Sequence, residues 1–205
     1  PVSVRVGELF AEVGGTVPSV EGPGTGDGFK KFCAGETDIS DASRAIKDEE
    51  KAICEQAGVT YTELQIANDA ITVLTNEKND SIDCLTFEDL YGLVGPESEG
   101  VKNWSEAADK GATSDLPDAP LEIFAPGTES GTYDSFYELA IEGLAEENGA
   151  PEDVQIRPDY GGLANDNEII SGLQSVDSSF GWVGFAFAEE AEGVADPTIN
   201  VEVPK

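Results

Sequence analysis

Histidine is absent from all 205 residues, basic side chains are scarce, and cysteine occurs only three times. Each shortage removes a class of function. Without histidine the commonest proton shuttle and metal ligand is missing, which weighs against an enzyme. Cys33, Cys54 and Cys84 match no zinc-binding spacing. Three is also an odd number, so in an exported protein one disulfide leaves a thiol over, or a partner cysteine lies outside this sequence; Cys54 with Cys84 is the preferred pairing. Lysine and arginine number 11 against 42 acids, a formal charge of -31 spread through every segment. Nucleic acid and anionic membrane are therefore poor partners. No apolar run reaches the roughly 18 residues of a membrane span. No basic-then-apolar leader opens the chain, and a leader or lipid anchor removed from it is compatible with this. Low-complexity tracts are lacking too.

The apolar fraction of 39% suits a packed core rather than disorder, in one large domain or two small lobes. The acids read mostly as a solvated surface. Such a surface repels itself at low salt and is screened to a Debye length of about 3 Å at 1 M, which points to a halophilic source.

One stretch stands out, Phe124 to Phe136. Leu121-Glu122-Ile123-Phe124 reads as a buried strand, Ser130-Gly131-Thr132 supplies small hydroxyl donors after a glycine-punctuated turn, and Tyr133 to Ile141 continues with helical spacing. A helix entered in this way aims unpaired N–H groups and the positive end of its dipole at the loop, where an anion is the natural occupant. A serine or threonine before a helix is common and usually does no more than cap it.

In chain order, Pro1 to Glu12 has helical spacing, Val17 to Glu21 reads as a short strand, and Gly22 to Gly28 is a glycine-rich turn feeding a helix over Phe29 to Ala34. Thr37 to Arg44 reads as a strand with a polar tip, followed by a charged helix over Lys47 to Ala57. Arginine occurs only at positions 5, 44 and 157. Arg44 beside Ser43 at a strand tip suits forked bonds to an oxyanion, and a salt bridge to one of the many acids suits it equally. Leu64 to Ala67 and Asp69 to Leu74 are strand-like, with Asn68 a bend. Thr86 to Leu90 resembles a capping box opening a helix that ends near Gly95-Pro96. Glu97 to Asp118 reads as loop, anchored by Trp104. Val154 to Arg157 reads as a strand, Asp166 to Leu173 as a helix, and Phe180 to Phe187 and Ile199 to Val203 as strands. This alternation indicates an α/β class.

The segment Gly24 to Ile39 with Ser40-Asp41-Ala42-Ser43-Arg44, followed by Pro126 to Asp134, resembles the phosphate-binding subunit of ABC phosphate importers. It is most similar to the branch of that family found in cyanobacteria and other prokaryotes, and the resemblance runs from Pro1 to about Phe187. It implies a two-lobed periplasmic-binding-protein-like fold of type II, closing like a hinge over one dehydrated phosphate. On that pattern lobe 1 is residues 1–68 with 189–205, and lobe 2 is 69–188. The family's first phosphate loop would precede Pro1 and its closing segment would follow Lys205, so the first lobe is expected to be truncated at both ends.

The resemblance places the family's second-loop hydroxyl on Thr25, its hydroxyl-glycine-threonine loop on Ser130, Gly131 and Thr132, and its strand-tip segment on Asp41 to Arg44. Ser43 falls at or next to the family's ligand-accepting aspartate. Where better-known members carry an arginine, four residues before the loop serine, this chain has Pro126. Arg44 is then the expected source of positive charge and Arg157 the reserve. Asp41 suits an acceptor for the proton of hydrogen phosphate, which sulfate lacks, and suits an ordinary surface acid as well. The implied partners are inorganic phosphate and the membrane subunits of an ABC transporter, with no cofactor or metal. The protein is expected as an exported monomer, periplasmic or at the cell surface. The rivals are another oxyanion (sulfate, molybdate, arsenate), a hydrolase using Ser130, and an interaction domain that keeps the fold without transport.

Overall fold

Apolar residues at helical spacing and β-branched runs between glycines partition this chain into alternating helices and strands. The computed structural model describes residues 2–22, 24–68, 70–151 and 154–200. They form two units, Pro1–Ile66 and Ala67–Lys205. The α/β class expected from the alternation holds.

The first unit is helical among its described residues: α1 (Val2–Glu12), α2 (Thr25–Cys33) and α3 (Asp48–Ala57). Helix α2 opens one turn earlier than Phe29, because Gly24 takes a φ of 88° that ordinary side chains avoid and starts the helix directly at Thr25. Thr25, Phe29 and Cys33, four residues apart, form its buried stripe. Helix α3 begins with a capping box in which the Glu50 carboxylate accepts from the Lys47 N–H at 2.8 Å, and it closes on Gly58 in the left-handed region. Phe29, Cys33, Ile46 and Cys54 make the small core, with Phe32 and Val59 packed against it.

Two expectations fail in this unit. Val17 to Glu21, Thr37 to Arg44 and Leu64 to Ala67 carry strand-like residues but form no strand. Strand propensity reports fit to a paired, half-buried surface, and here Ile39 and Leu64 are 77% and 75% exposed with no ladder to join. The disulfide joins Cys33 to Cys54, with Cα atoms 4.4 Å apart, and not Cys54 to Cys84; Cys84 is a free, exposed cysteine. Cys33 and Cys54 are both on the inward stripes of packed helices, which brings their Cα atoms within bridging distance. Pro1 and Pro23 lie outside the described residues.

The second unit is built on a four-stranded sheet in the order β3 (Glu122–Phe124), β4 (Ser179–Gly184), β1 (Ile71–Asn76), β5 (Val194–Ala195). Strands β1 and β4 are antiparallel with Val73 opposite Trp182, β5 is antiparallel to β1, and β3 runs parallel to β4 with Ile123 opposite Phe180. A separate parallel pair joins β2 (Cys84–Thr86) to β6 (Thr198–Asn200). Residues 194–200, which the sequence reading places with the first lobe, thus pair with strands of this unit. The described helices of this unit are α4 (Phe87–Val94), α5 (Gly131–Phe136), α6 (Glu142–Glu147), α7 (Asp166–Ser175) and a short α8 (Phe185–Ala188), with 3-10 helices at Pro96–Ser98 and Trp104–Lys110 inside the segment expected as loop. A π-helical stretch, Tyr137–Ile141, carries α5 into α6.

Several sequence features find their cause here. Thr86 caps α4 by accepting from the Asp89 N–H, and the Asp89 carboxylate accepts from the Thr86 N–H, the expected capping box. Trp104 is fully buried, donates to the Ser178 carbonyl at 2.8 Å and packs edge-on against Phe180. Gly181 lets β3 approach β4, since a Cβ there would stand 1.9 Å from the Phe124 carbonyl oxygen. The strand expected over Phe180 to Phe187 stops at Gly184, where its ladder with Ile71 ends, and Phe185 begins a helical turn. The strand expected over Leu121 to Phe124 is the edge strand Glu122–Phe124, with Glu122 exposed and the next two residues half-buried, rather than a buried one. Val154 to Arg157 forms no strand; its Arg157 N–H donates to the Val94 carbonyl outside any ladder. Asp69 and residues 201–203 of the expected strands lie outside the described residues.

Candidate functional site

Helix α2 starts on a backbone bend, and its first side chain meets the segment that follows it. Thr25 is 6% exposed, and its hydroxyl lies 3.0 Å from the Ser43 hydroxyl and accepts from the Ser43 N–H at 3.4 Å. Two hydroxyls that the sequence separates by 18 positions therefore sit together at a helix N-terminus, where the first N–H groups lack intrahelical acceptors. Arg44 lies over the same turn. Its guanidinium stands 5.3 Å from the Phe29 ring centroid, and its Nη2 is 3.7 Å from where a Cβ on Gly26 would be.

Arg44 also makes the salt bridge that the sequence allowed. Nη1 donates to Glu50 Oε2 and Nη2 to Glu50 Oε1, both at 2.9 Å, and Nη1 further donates to the Ala45 carbonyl at 3.2 Å. Burial pushes the Glu50 carboxyl up, but the Arg44 fork and the Lys47 N–H outweigh it and hold the group below the usual glutamate range. Asp41 is exposed, and its Oδ2 accepts from the Ser3 hydroxyl of α1.

In the second unit the loop after β3 is fastened at several points. Leu163 N–H donates to the Ala125 carbonyl at 2.9 Å, Gly127 N–H to the Leu163 carbonyl at 3.3 Å, and the Tyr160 hydroxyl to the Pro126 carbonyl at 2.8 Å. Gly162 permits this closure, because a Cβ there would stand 2.6 Å from the Gly127 Cα. Ser130 N–H donates to the Gly127 carbonyl at 3.0 Å, and the Ser130 hydroxyl accepts from the Thr132 N–H at 3.2 Å. Ser130 is thus an N-cap of α5, with exposed Gly131 and half-buried Thr132 in the first turn. The arrangement offers hydroxyls and first-turn N–H groups, the chemistry that holds a desolvated oxyanion.

Arg157 is 4% exposed and wholly engaged in its own unit. It donates to the Leu93 carbonyl at 3.2 Å, the Val101 carbonyl at 2.9 Å and both oxygens of Asp159. Two side chains escaped the sequence reading. Glu50, at the third position of α3, was legible as a capping-box glutamate but not as the partner of Arg44. Ser40 has a buried hydroxyl 3.1 Å from the Cβ position of Gly28, a proximity no local pattern signals.

A family model of the PBP superfamily domain matches residues 4–197. Protein SphX of Synechococcus elongatus is 36% identical over 195 residues, which cover 94% of this chain and 53% of that protein. Phosphate-binding protein PstS of Staphylococcus epidermidis is 36% identical over 167 residues, 82% of this chain and 45% of that one. The chain spans about half the length of the curated relatives it matches. Among solved structures, a possible phosphate binding protein from Planctomyces limnophilus gives a TM-score of 0.76 at 31% identity, covering 97% of this chain and 66% of that one. PstS from Borrelia burgdorferi gives 0.64 at 21% identity over 100% and 73%, a likeness of fold alone.

Proposed function

The chain belongs to the PBP superfamily, and on that premise we propose that it is the phosphate-binding component of an ABC-type phosphate import system, exported to the periplasm or cell surface and working as a monomer. The observation that carries this reading is the meeting of Thr25, Ser43 and Arg44 at the start of α2, three residues proposed as phosphate ligands and brought within one turn of each other. Ser130, Gly131 and Thr132 at the start of α5 are proposed as further donors, and Asp41 as the acceptor for the proton of hydrogen phosphate. The names of the relatives support the choice of anion: one is a phosphate-binding protein and a structural neighbour is a possible one.

The physics of capture is replacement of a hydration shell by fixed donors. Hydroxyls and N–H groups at helix starts carry partial positive charge without a counterion, so they can receive an anion on a chain whose net charge is -31. Binding without covalent chemistry suits a chain that has no histidine.

Isothermal titration with phosphate, with sulfate, molybdate and arsenate as competitors, tests the reading. Phosphate binding that equimolar sulfate does not displace supports it. Preferential binding of another oxyanion would reassign the ligand, and turnover of a chromogenic phosphate ester would replace the binding role by a hydrolytic one.

A further inference from the structure

We propose that Glu50 is a positioning residue of the phosphate site, a carboxylate on α3 that fixes the Arg44 guanidinium against the first turn of α2. The inference rests on the reading that Arg44 is a phosphate ligand, and it adds the device that makes an arginine useful there.

Among the described residues most ion pairs are loose surface contacts. Lys30 and Asp27 are 70% and 58% exposed, and Lys78 and Asp177 are 64% and 71% exposed. Arg44 and Glu50 are different, at 17% and 14%. Both Glu50 oxygens engage the fork at 2.9 Å, and one of them is itself anchored by the Lys47 N–H at 2.8 Å. The carboxylate is therefore tied to the backbone at the start of α3, and Arg44 is tied to the carboxylate.

The other side of the guanidinium rests on α2. Phe29 supplies a ring face at 5.3 Å, and the absence of a side chain at Gly26 leaves room for Nη2 above the turn that begins with Thr25. The disulfide from Cys33 to Cys54 then locks α3 to α2, so the ring and the carboxylate keep a fixed separation. A bidentate fork restricts the guanidinium to one plane, and an arginine so held loses less conformational freedom when it meets an oxyanion. Glu50 also cancels the long-range charge of Arg44. What remains is directional hydrogen bonding at short range.

The test is phosphate titration calorimetry on the wild type, E50Q, R44A and the double variant, in molar salt, with folding checked by circular dichroism. E50Q should weaken binding about tenfold, R44A at least as much, and the double variant no more than R44A alone, because coupled residues are not additive. A pH series adds a readout that a merely structural acid would not move. As the pH falls below 4.5, the ordinary glutamate value, phosphate stays a monoanion while Glu50 protonates. Wild-type affinity should then fall more steeply than that of E50Q. Should E50Q fail to fold, E50D keeps the charge but shortens the reach, and it should weaken binding in the same coupled manner.

Wild-type affinity in E50Q alongside weakened R44A overturns the proposal and leaves Arg44 a ligand. Additive losses in the double variant overturn it too. Unchanged binding in R44A removes Arg44 from the site, and the proposal with it. No phosphate binding by the wild type overturns both the proposal and the functional reading beneath it.

Discussion

Cys33 and Cys54 are bonded across the two helices that frame the Thr25–Ser43 hydroxyl pair, one closing α2 and the other on the inner face of α3. Among the described residues of the first unit, Phe29, Cys33, Ile46 and Cys54 form a small buried core, so this covalent link replaces much of the packing that a larger core would provide.

Reduction should consequently destabilise the first unit more than the second. The bridge closes a separation of 21 residues, for which loop-closure entropy gives about 3 kcal/mol. Thermal unfolding of C33S, or of the wild type with a reductant, should show an early transition absent from the oxidised protein. Peptide mapping should find Cys84 as the thiol that reacts under native conditions; a bridge from Cys54 to Cys84 would contradict the structure.

The Arg157–Asp159 pair should act on stability and not on the anion. Asp159 sits on the nearly buried Arg157 guanidinium, which with the Gly100 N–H holds its carboxyl down at about 2 against an ordinary 3.8. A depressed acid contributes stability that is complete above the unfolded value and is lost as the pH falls through the folded one. The loss should therefore run from about pH 4 down through 2, and amount to about 1 to 2 kcal/mol. D159N leaves a buried arginine without its carboxylate, at about 3 kcal/mol or more. Its melting temperature should drop while the phosphate affinity of the folded fraction stays unchanged. A selective loss of affinity in R157K would instead promote Arg157 to ligand.

Asp89 should be the most sensitive acid of the second unit. It is fully buried and accepts from the N–H groups of Thr86, Thr113 and Ser114 and from the Ser114 hydroxyl. Burial pushes its carboxyl up, but these donors outweigh it and leave the group below the usual range. D89N cannot accept from all of them, and a loss of about 2 to 4 kcal/mol is expected in denaturant unfolding. The shift again places the stabilisation above the ordinary carboxyl value and its loss on acidification.

Ser130 should show a dual effect. As the N-cap of α5 it satisfies the Thr132 N–H, so S130A should cost about 1 kcal/mol of stability. If its loop also donates to phosphate, S130A should weaken binding beyond the effect of S175A, whose hydroxyl merely donates to the Gly172 carbonyl late in α7. Equal binding by both variants would reduce Ser130 to a cap.

Salt should help capture, or at least not hinder it. A chain of charge -31 repels an incoming anion at low ionic strength, and screening removes that barrier without touching short-range bonds. Phosphate affinity should hold or rise from low to molar salt; a steep fall in calorimetry of folded protein would contradict the proposed short-range site.

Local patterns were legible wherever neighbours in the chain decide the outcome. The capping box at Thr86 and Asp89, the cap at Ser130, the anchoring Trp104 and helices α1, α3 and α7 all follow from contacts a few residues apart. The expected strand over Thr37 to Arg44 failed for the opposite reason. Its β-branched residues describe a preference for pairing, and no strand among the described residues pairs with it.

The sequence by itself determined the α/β class, the net charge of -31 and the glycine-led helix starts, and by resemblance it proposed Thr25, Ser43 and Arg44 as ligands. Only the tertiary structure decided which cysteines meet, that Arg44 is held by Glu50, and that Arg157 belongs to the interior. Those outcomes depend on side chains between 6 and 64 positions apart, at Arg44 with Glu50, at Cys33 with Cys54 and at Arg157 with the Leu93 carbonyl. Helical and strand periodicity constrain only the residues of one element, whereas packing selects which elements share an interior and so which groups lose water together.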